Sequence, residues 1–295
     1  LRSNDRGTTW NQVFPHLPNF RNLSDEEKGP WYGIFSQFAR LNAGYFFNSE
    51  DGIVAGESFL GSYEDNLTAF TSNSGKSWEK NLVCKSTSMD FFNQEKGLSV
   101  FEEILYRTED RGKTWDKTIF FTDDYKYLSK IECVSNNTAY MLGFDALVKT
   151  DDTLNYPSGY KRVYKLFKTT DAGNTFDTIY TNDSPDFAPY GIKFVNEDIG
   201  YMFGRGYKIL KTEDGGYSWK EIPKDVYTLY DMEIIDDNSF IGCGYHDTIT
   251  YSNDNGENWS IEVPQFEKIH DKPTVLFDIV LTEKDDIYIF GRGRL

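Results

Sequence analysis

Residues 212–219 read TEDGGYSW, and this stretch decides the fold because its pattern returns along the whole chain. The shared eight-residue pattern is Ser/Thr-x-Asp-x-Gly-x-Ser/Thr-Trp. Copies begin at residues 3, 71, 108, 169, 212 and 252, and three of them vary at one position, with Asn73, Phe176 or Asn258 replacing the usual residue. Segments that recur in this way indicate a chain built from repeats of one structural unit.

Each copy has the composition of a tight hairpin turn. An Asp or Asn side chain accepts hydrogen bonds from backbone N–H groups one or two residues further on, and the Gly supplies a positive φ. The closing aromatic residue begins the next strand and is expected to bury its ring beneath the turn. The spacing lacks the further Asp residues and the closing Glu of a calcium loop. We therefore expect structural roles for Asp5, Trp10, Asn73, Trp78, Asp110, Trp115, Asp171, Phe176, Asp214, Trp219, Asp254 and Trp259.

A second pattern, of a strand, an Asn or Asp turn and another strand, precedes the eight-residue pattern, as in residues 192–204. Together the two patterns describe four antiparallel strands, which is one propeller blade. The spacing predicts a single all-β domain over residues 1–295, a six-bladed β-propeller of four-stranded antiparallel blades. The last blade would combine the N-terminal and C-terminal strands. A degenerate blade hidden in residues 14–44 would make seven blades, which is the alternative.

The eight-residue pattern resembles the Asp box, or bacterial neuraminidase repeat. This box occurs in sialidases, xyloglucan hydrolases, sortilin-type receptors and assembly factors, so it implies a propeller without implying one activity. The fuller unit that ends at residues 211–219 resembles the photosystem II assembly-factor-like repeat family, over roughly residues 40–295. That resemblance implies a scaffold without catalytic activity, which binds a partner on a propeller face bearing arginines. Arg205 and Arg292, each within Gly-Arg-Gly, are the positions that could carry this role.

Charge and composition narrow the function classes. The chain has 31 Lys and Arg against 47 Asp and Glu, a net charge of −16, which argues against nucleic-acid binding. Stretches of 18 or more apolar residues are absent from the sequence, so we expect no transmembrane segment. The three cysteines and three histidines have no metal-ligand spacing, so neither a metal nor a cofactor is expected. We expect an extracytoplasmic monomer (periplasmic, cell-surface or secreted) whose export signal is not part of this sequence.

Equivalent positions of the first strands bear polar residues that could face a ligand: Tyr45, Asp90, Glu132, Lys193, Glu233 and Asp278. One hypothesis is a non-enzymatic binding or assembly scaffold, with a protein or glycan partner held by Tyr45, Lys193, Arg205 and Arg292. The alternative is a glycoside hydrolase, sialidase-like or other. Its acid and nucleophile would come from Asp90, Glu132, Glu233 and Asp278, since glycoside hydrolysis uses paired carboxylates.

The sequence favours the scaffold over the hydrolase. The segment nearest to the Arg-containing motif of sialidases, residues 20–23, lacks the proline of that motif.

Two insertions, residues 14–40 and 150–163, are candidates for a binding face, because long loops in compact folds often carry function.

Overall fold

The computed structural model of the chain describes residues 2–3, 39–58, 65–73, 79–81, 84–121, 126–222, 228–236, 238–246, 248–262, 275–281 and 287–292. Within these ranges the chain forms strands, turns and bends, and none of them holds a helix long and apolar enough to cross a membrane. The predicted turn residues Asp5, Trp10 and Trp78 lie outside the described residues, as does nearly all of the 14–40 insertion.

Twenty-three strands occur in the described ranges. In chain order they are β1 (Arg2–Ser3), β2 (Ala39–Phe46), β3 (Asp51–Ser58), β4 (Asp65–Ser72), β5 (Glu79–Asn81), β6 (Ser88–Phe91), β7 (Gly97–Phe101), β8 (Ile104–Thr108), β9 (Asp116–Ile119), β10 (Lys126–Cys133), β11 (Ala139–Lys149), β12 (Tyr160–Thr169), β13 (Asp177–Asn182), β14 (Ala188–Phe194), β15 (Gly200–Arg205), β16 (Ile209–Thr212), β17 (Lys220–Ile222), β18 (Leu229–Asp236), β19 (Ser239–Gly244), β20 (Ile249–Ser252), β21 (Ser260–Glu262), β22 (Val275–Leu281) and β23 (Ile287–Arg292).

The chain divides into two compact units. Residues 15–181 form the first unit, with the sheets β2-β3-β4-β5, β6-β7-β8-β9 and β10-β11-β12-β13. Residues 1–14 and 182–295 form the second unit, with the sheets β14-β15-β16-β17, β18-β19-β20-β21 and β1-β23-β22. The expectation of one domain over residues 1–295 stays a prediction.

Within the part of the chain that the structure describes, the fold is an all-β propeller with five blades of four antiparallel strands each. The prediction of six such blades, with seven as its alternative, is wrong. The remaining sheet has three strands, in which Arg2 of β1 lies opposite Tyr288 of β23. The error has a physical cause. Each copy of the eight-residue pattern marks a turn, whereas a four-stranded blade depends on pairing between residues far apart in the sequence.

The core of each unit lies between the faces of successive sheets. In the first unit, Leu98 of β7 packs in one cluster with Ile131 of β10 and Met141 of β11. In the second unit, Phe203 of β15 packs in one cluster with Phe240 of β19. Burial is highest in the second strand of each blade, and β7 is buried at all five positions, whereas β9 is exposed at all four of its positions. The apolar residues of the second strands therefore hold the blades together.

A β-bulge interrupts one strand in each of the three sheets of the second unit, at one shared register position. The register skips Tyr190 in β14, Tyr230 in β18 and Phe277 in β22. A bulge inserts one unpaired residue into a strand, bends it and redirects the side chain. In the first unit the matching skips fall at Asn42 and Ser129. The bulges of β14 and β18 therefore place a tyrosine at the same register position of two neighbouring sheets, and these two tyrosines belong to the candidate site.

Candidate functional site

A cleft with a volume of about 690 Å³ lies in the second unit. It opens where strands end. Arg205 is the last residue of β15, Thr228 precedes β18, and Tyr245 follows β19. Its lining consists of Asp186, Tyr190, Arg205, Gly206, Tyr207, Lys208, Thr228, Tyr230 and Tyr245. The size is in the range typical of ligand-binding sites, and tyrosines dominate the lining.

Two bulge tyrosines form the centre of this cleft, which we call the tyrosine cleft. The rings of Tyr190 and Tyr230 stack with their planes 11° apart and their centroids 5.4 Å apart. They meet because the bulges of β14 and β18 fall at the same register position of neighbouring blades. Tyr190 is 36% exposed and Tyr245 is 43% exposed, so both rings are accessible to a ligand.

The hydroxyl groups of these tyrosines lie close enough to affect one another. Burial raises the pKa of Tyr230, and the neighbouring phenol groups of Tyr190 and Tyr245 raise it further. Tyr230 therefore keeps its proton at neutral pH and can donate a hydrogen bond. The phenol groups of Tyr190 and Tyr245 can donate in the same way, so the lining of the tyrosine cleft offers several donors.

The turn between β15 and β16 supplies the positive charge of the cleft. Gly206 has a φ of +122° and Tyr207 a φ of +58°, which lets the chain turn sharply after Arg205. Lys208 pairs with Glu221 at 3.1 Å between Nζ and Oε2. Arg205 is exposed and makes no ion pair with another described residue. With respect to the described residues, Arg205 is therefore a cation of the cleft that could pair with a ligand, and its binding role stays a prediction.

The other three predicted binding residues lie elsewhere. Lys193 pairs with Glu233, with 2.9 Å between Nζ and Oε2. Burial, and then the nearby charges of Asp90 and Cys133, raise the pKa of Tyr45 to about 12. The backbone of Arg292 pairs with that of Val275, and its side chain lies outside the described residues. Of the predicted binding residues whose side chains the structure describes, Arg205 lines the tyrosine cleft.

Two of the predicted carboxylates, Asp90 and Glu233, have partners on neighbouring strands. Asp90 Oδ2 accepts a hydrogen bond from the backbone N–H of Cys133 at 2.7 Å, and Oδ1 accepts one from Phe91 at 2.8 Å. Glu132 is 7% exposed. The backbone of Asp278 pairs with that of Phe290, and its side chain lies outside the described residues.

The same kind of bond recurs at two residues that the sequence analysis missed. Asp231 Oδ2 accepts a hydrogen bond from the backbone N–H of Ile279 at 3.0 Å, and Ser88 Oγ accepts one from Ile131 at 3.1 Å. These side chains link the first strands of successive sheets, which no ladder of backbone hydrogen bonds joins. Position in the aligned strands was the available signal, since Ser88 and Asp231 each directly precede the Met that begins the aligned segment.

The eight-residue pattern folds into a turn whose hydrogen-bond network is more extended than the sequence analysis predicted. Asp110 Oδ1 accepts a hydrogen bond from the backbone N–H of Thr114, four residues on, at 2.8 Å. The hydroxyl of Thr108 accepts a bond from the backbone N–H of Gly112 at 2.8 Å. Trp115 is half-buried, and its Nε1 donates to the carbonyl of Gly112 at 2.9 Å. Equivalent carboxylate bonds form at Asp171, Asp214 and Asp254.

The remaining predicted turn residues follow the pattern in part. In the copy that begins at residue 71, Asn73 Oδ1 accepts a hydrogen bond from the Thr71 hydroxyl at 3.1 Å. Trp219 and Trp259 each donate a bond from Nε1 to the carbonyl of the pattern glycine at 2.9 Å. Phe176 is half-buried against Phe120, with ring centroids 5.6 Å apart, and has no such donor.

The pattern glycines contact the preceding blade. A Cβ added at Gly112 would lie 2.6 Å from Ile53 Cδ1, and one at Gly173 would lie 2.8 Å from Leu98 Cδ2. The sequence analysis assigned these glycines to turn geometry alone. The structure shows that they also let one blade approach the next.

The 150–163 insertion extends a hairpin. Strands β11 and β12, of 11 and 10 residues, are joined by residues 150–159, and Leu154 in this connection is 89% exposed. It lies in the first unit and contributes no residue to the tyrosine cleft. Its predicted part in a binding face stays a prediction.

Comparison with known proteins identifies the fold. No protein-family model matches the sequence, and a search of curated proteins gives no match. Among solved structures, "YCF48 bound to D1 peptide" is 17% identical with a TM-score of 0.50, covering 86% of this chain and 91% of that one. The GH74 xyloglucanase from Xanthomonas campestris is 12% identical with a TM-score of 0.51, covering 75% and 38% of the two chains. The WD40 propeller domain of Doa1 is 11% identical with a TM-score of 0.56, covering 84% and 75%.

The chain is a β-propeller. At these identities the similarity establishes the fold alone. The resemblance to the assembly-factor family is confirmed at the level of the fold, and no family model confirms the Asp-box assignment.

Proposed function

We propose that the protein is a non-enzymatic, extracytoplasmic scaffold that holds a segment of a partner protein in the tyrosine cleft. The observation that carries this proposal is the cleft itself, an open site with four tyrosines and an available arginine. Tyr and Arg are the residue types that most often dominate binding energy at protein interfaces. The extracytoplasmic location is supported by the repeat family that the sequence resembles, which contains many exported proteins.

The fold comparison supports a protein partner. The solved propeller described as YCF48 carries a bound D1 peptide, by the words of its own description, and it covers 86% of this chain. A propeller of this fold can therefore present a peptide-binding surface. We extend that ability to this chain as part of the proposal.

The glycoside hydrolase alternative has less support from the side chains. A hydrolase needs one carboxyl group that protonates the leaving group and one that attacks or activates water. Asp90 instead accepts two backbone hydrogen bonds, and Glu233 is paired with Lys193. Groups engaged in this way are expected to hold strands in place.

Selection of binding peptides from a random displayed library tests the proposal. The full chain is the bait, and the selected peptides are then measured against the Tyr190→Ala/Tyr230→Ala double variant and against Tyr217→Ala. Tyr217 is the matched control because it is 60% exposed and lies outside the cleft. We expect binding to weaken at least about 30-fold in the double variant and to stay unchanged in the control, since truncated interface hot spots cost about 2 kcal/mol or more.

Two outcomes would overturn the proposal. Selected peptides that bind the double variant as well as the native chain would place the partner elsewhere. Hydrolysis of a fluorogenic glycoside that disappears in Glu132→Gln or Glu233→Gln would establish the enzyme instead.

A further inference from the structure

The chemistry of the tyrosine cleft selects among peptide conformations, and this inference rests on the proposed function. Among the described lining residues, side-chain donors outnumber the groups that can only accept. The hydroxyl groups of the four tyrosines can each donate a hydrogen bond, Arg205 offers five N–H donors, and Asp186 supplies the one carboxylate of that described lining. A ligand that suits this lining offers carbonyl acceptors and has few N–H groups that need acceptors of their own.

The aromatic side chains of the cleft further restrict the class of peptide that fits it. Tyr190 and Tyr230 stack almost parallel, and Tyr207, 61% exposed, and Tyr245 extend the aromatic lining of the same cleft. Proline-rich segments dock into aromatic-lined grooves because the polyproline II helix is preformed and loses little entropy on binding. Proline also lacks an N–H group, so a segment of this kind presents apolar rings and unpaired carbonyl groups.

Addition of a strand to a sheet edge does not fit this location. The cleft is lined by strand ends and bulges: Tyr190 and Tyr230 are the unpaired bulge residues, and Arg205 ends β15. A ligand in the cleft meets turns and side chains, and no continuous strand edge is among the lining residues. Strand addition requires main-chain hydrogen bonds along several residues, and the lining residues do not provide a strand edge for them.

The positive charge of the cleft favours a ligand that carries a carboxylate. Arg205 makes no ion pair with another described residue, whereas Lys208 is held by Glu221. A carboxylate on the ligand could form a bidentate pair with the Arg205 guanidinium. Because the chain carries a net charge of −16, a ligand with one carboxylate is better suited than a strongly acidic one.

We propose that the tyrosine cleft binds a proline-rich segment in the polyproline II conformation, with one acidic residue that pairs with Arg205. The rings of the prolines contact Tyr190 and Tyr230, and the hydroxyl groups of the cleft donate to the carbonyl groups of the segment.

Fluorescence anisotropy of labelled peptides on the full chain tests the proposal. The probe is a proline-rich peptide with one central Glu, and its controls replace each Pro by Ala or the Glu by Gln. We expect the alanine control to bind at least about tenfold more weakly, because its hydrogen-bonding N–H groups and flexible backbone suit the cleft poorly. The glutamine control should lose about tenfold on the native chain and almost nothing on Arg205→Gln, as expected for two groups that interact directly.

The outcomes separate this inference from the proposed function. Equal binding of the proline and alanine peptides, or a Glu effect that persists in Arg205→Gln, would overturn the proline-rich, acidic ligand. Library peptides of another class that still require Tyr190 and Tyr230 would then leave the proposed function standing. If neither the proline peptide nor any library peptide depends on the cleft, both the inference and the proposed function are wrong. Unchanged thermal unfolding of each variant shows that a loss of binding is not a loss of folding.

Discussion

Replacing Gly173 by Ala should destabilise the protein by more than a turn substitution alone can explain. Gly173 has a φ of +81°, and an added Cβ would lie 2.8 Å from Cδ2 of Leu98, whose side chain is fully buried. The matched control is Gly159→Ala, because Gly159 has a similar φ of +73° and no heavy atom within 4 Å of the added Cβ. Both variants therefore carry the same backbone strain, and only the first disturbs the contact between blades.

The expected difference follows from two terms. A non-glycine residue in the left-handed region costs roughly 1–2 kcal/mol, and the lower entropy of the unfolded alanine chain offsets about 0.4–1 kcal/mol of that in both variants. Overpacking a core adds typically about 1–3 kcal/mol, which applies only at Gly173. We therefore expect the free energy of unfolding to fall by about 1–3 kcal/mol more in Gly173→Ala than in Gly159→Ala.

Guanidinium denaturation, followed by both tryptophan fluorescence and far-UV circular dichroism, measures this difference. Coincident transitions from the two probes justify comparison of the unfolding free energies. Equal destabilisation of the two variants would refute the reasoning, because it would mean that the pattern glycine matters only for the turn.

Three further predictions concern other single side chains. Asp231→Ala removes the acceptor of the Ile279 N–H, so we expect a loss of about 1–3 kcal/mol in the same denaturation assay, and no loss would contradict this role. Hydrogen bonds from the turn residue four positions on hold the pKa of Asp214 at about 2, below its ordinary 3.8. Its folded-state pKa is depressed, so its contribution is present above pH 3.8 and disappears as the pH falls towards 2. Asp214→Asn should therefore make the stability fall less steeply over that pH range. An unchanged fall would contradict a stabilising role for the ionised Asp214 carboxylate. Trp115→Phe removes the hydrogen bond to the Gly112 carbonyl and should lower the free energy of unfolding by about 0.5–1.5 kcal/mol in thermal or chemical unfolding. An unchanged stability would mean that this bond does not stabilise the fold.

Asp90 and Arg205 show how the structure adds partners that the residue type alone does not indicate. Asp90 lies at a position where a ring of carboxylates was an attractive hypothesis for catalysis. Its carboxylate instead accepts the backbone N–H of Cys133, which joins two first strands. Arg205 carried only a tentative binding role in the sequence, yet it lies beside the tyrosine stack. Partners from distant parts of the chain decide such roles.

The tyrosine cleft itself left a weak signal in the sequence. Tyr190 and Tyr230 each lie two residues before the buried residue that begins the aligned first-strand segment, Ile192 or Met232. When the repeats are aligned, this position has Tyr in two adjacent repeats and could have been identified as a candidate site. The bulges that bring the two rings together, however, come from the register between first and second strands, which the sequence pattern does not reveal.

What the sequence by itself determined is local: short strand segments, and turns whose hydrogen bonds join residues no more than four positions apart, as between Asp110 and Thr114. Those turns follow from Asp, Gly and hydroxyl side chains at fixed spacing, so the all-β propeller class could be predicted. Only the tertiary structure decided the number of four-stranded blades, the contact of Gly173 with Leu98 and the stacking of Tyr190 on Tyr230. Each of these depends on strand pairing or on packing between residues far apart in the chain, where the balance of burial and register selects one arrangement among many.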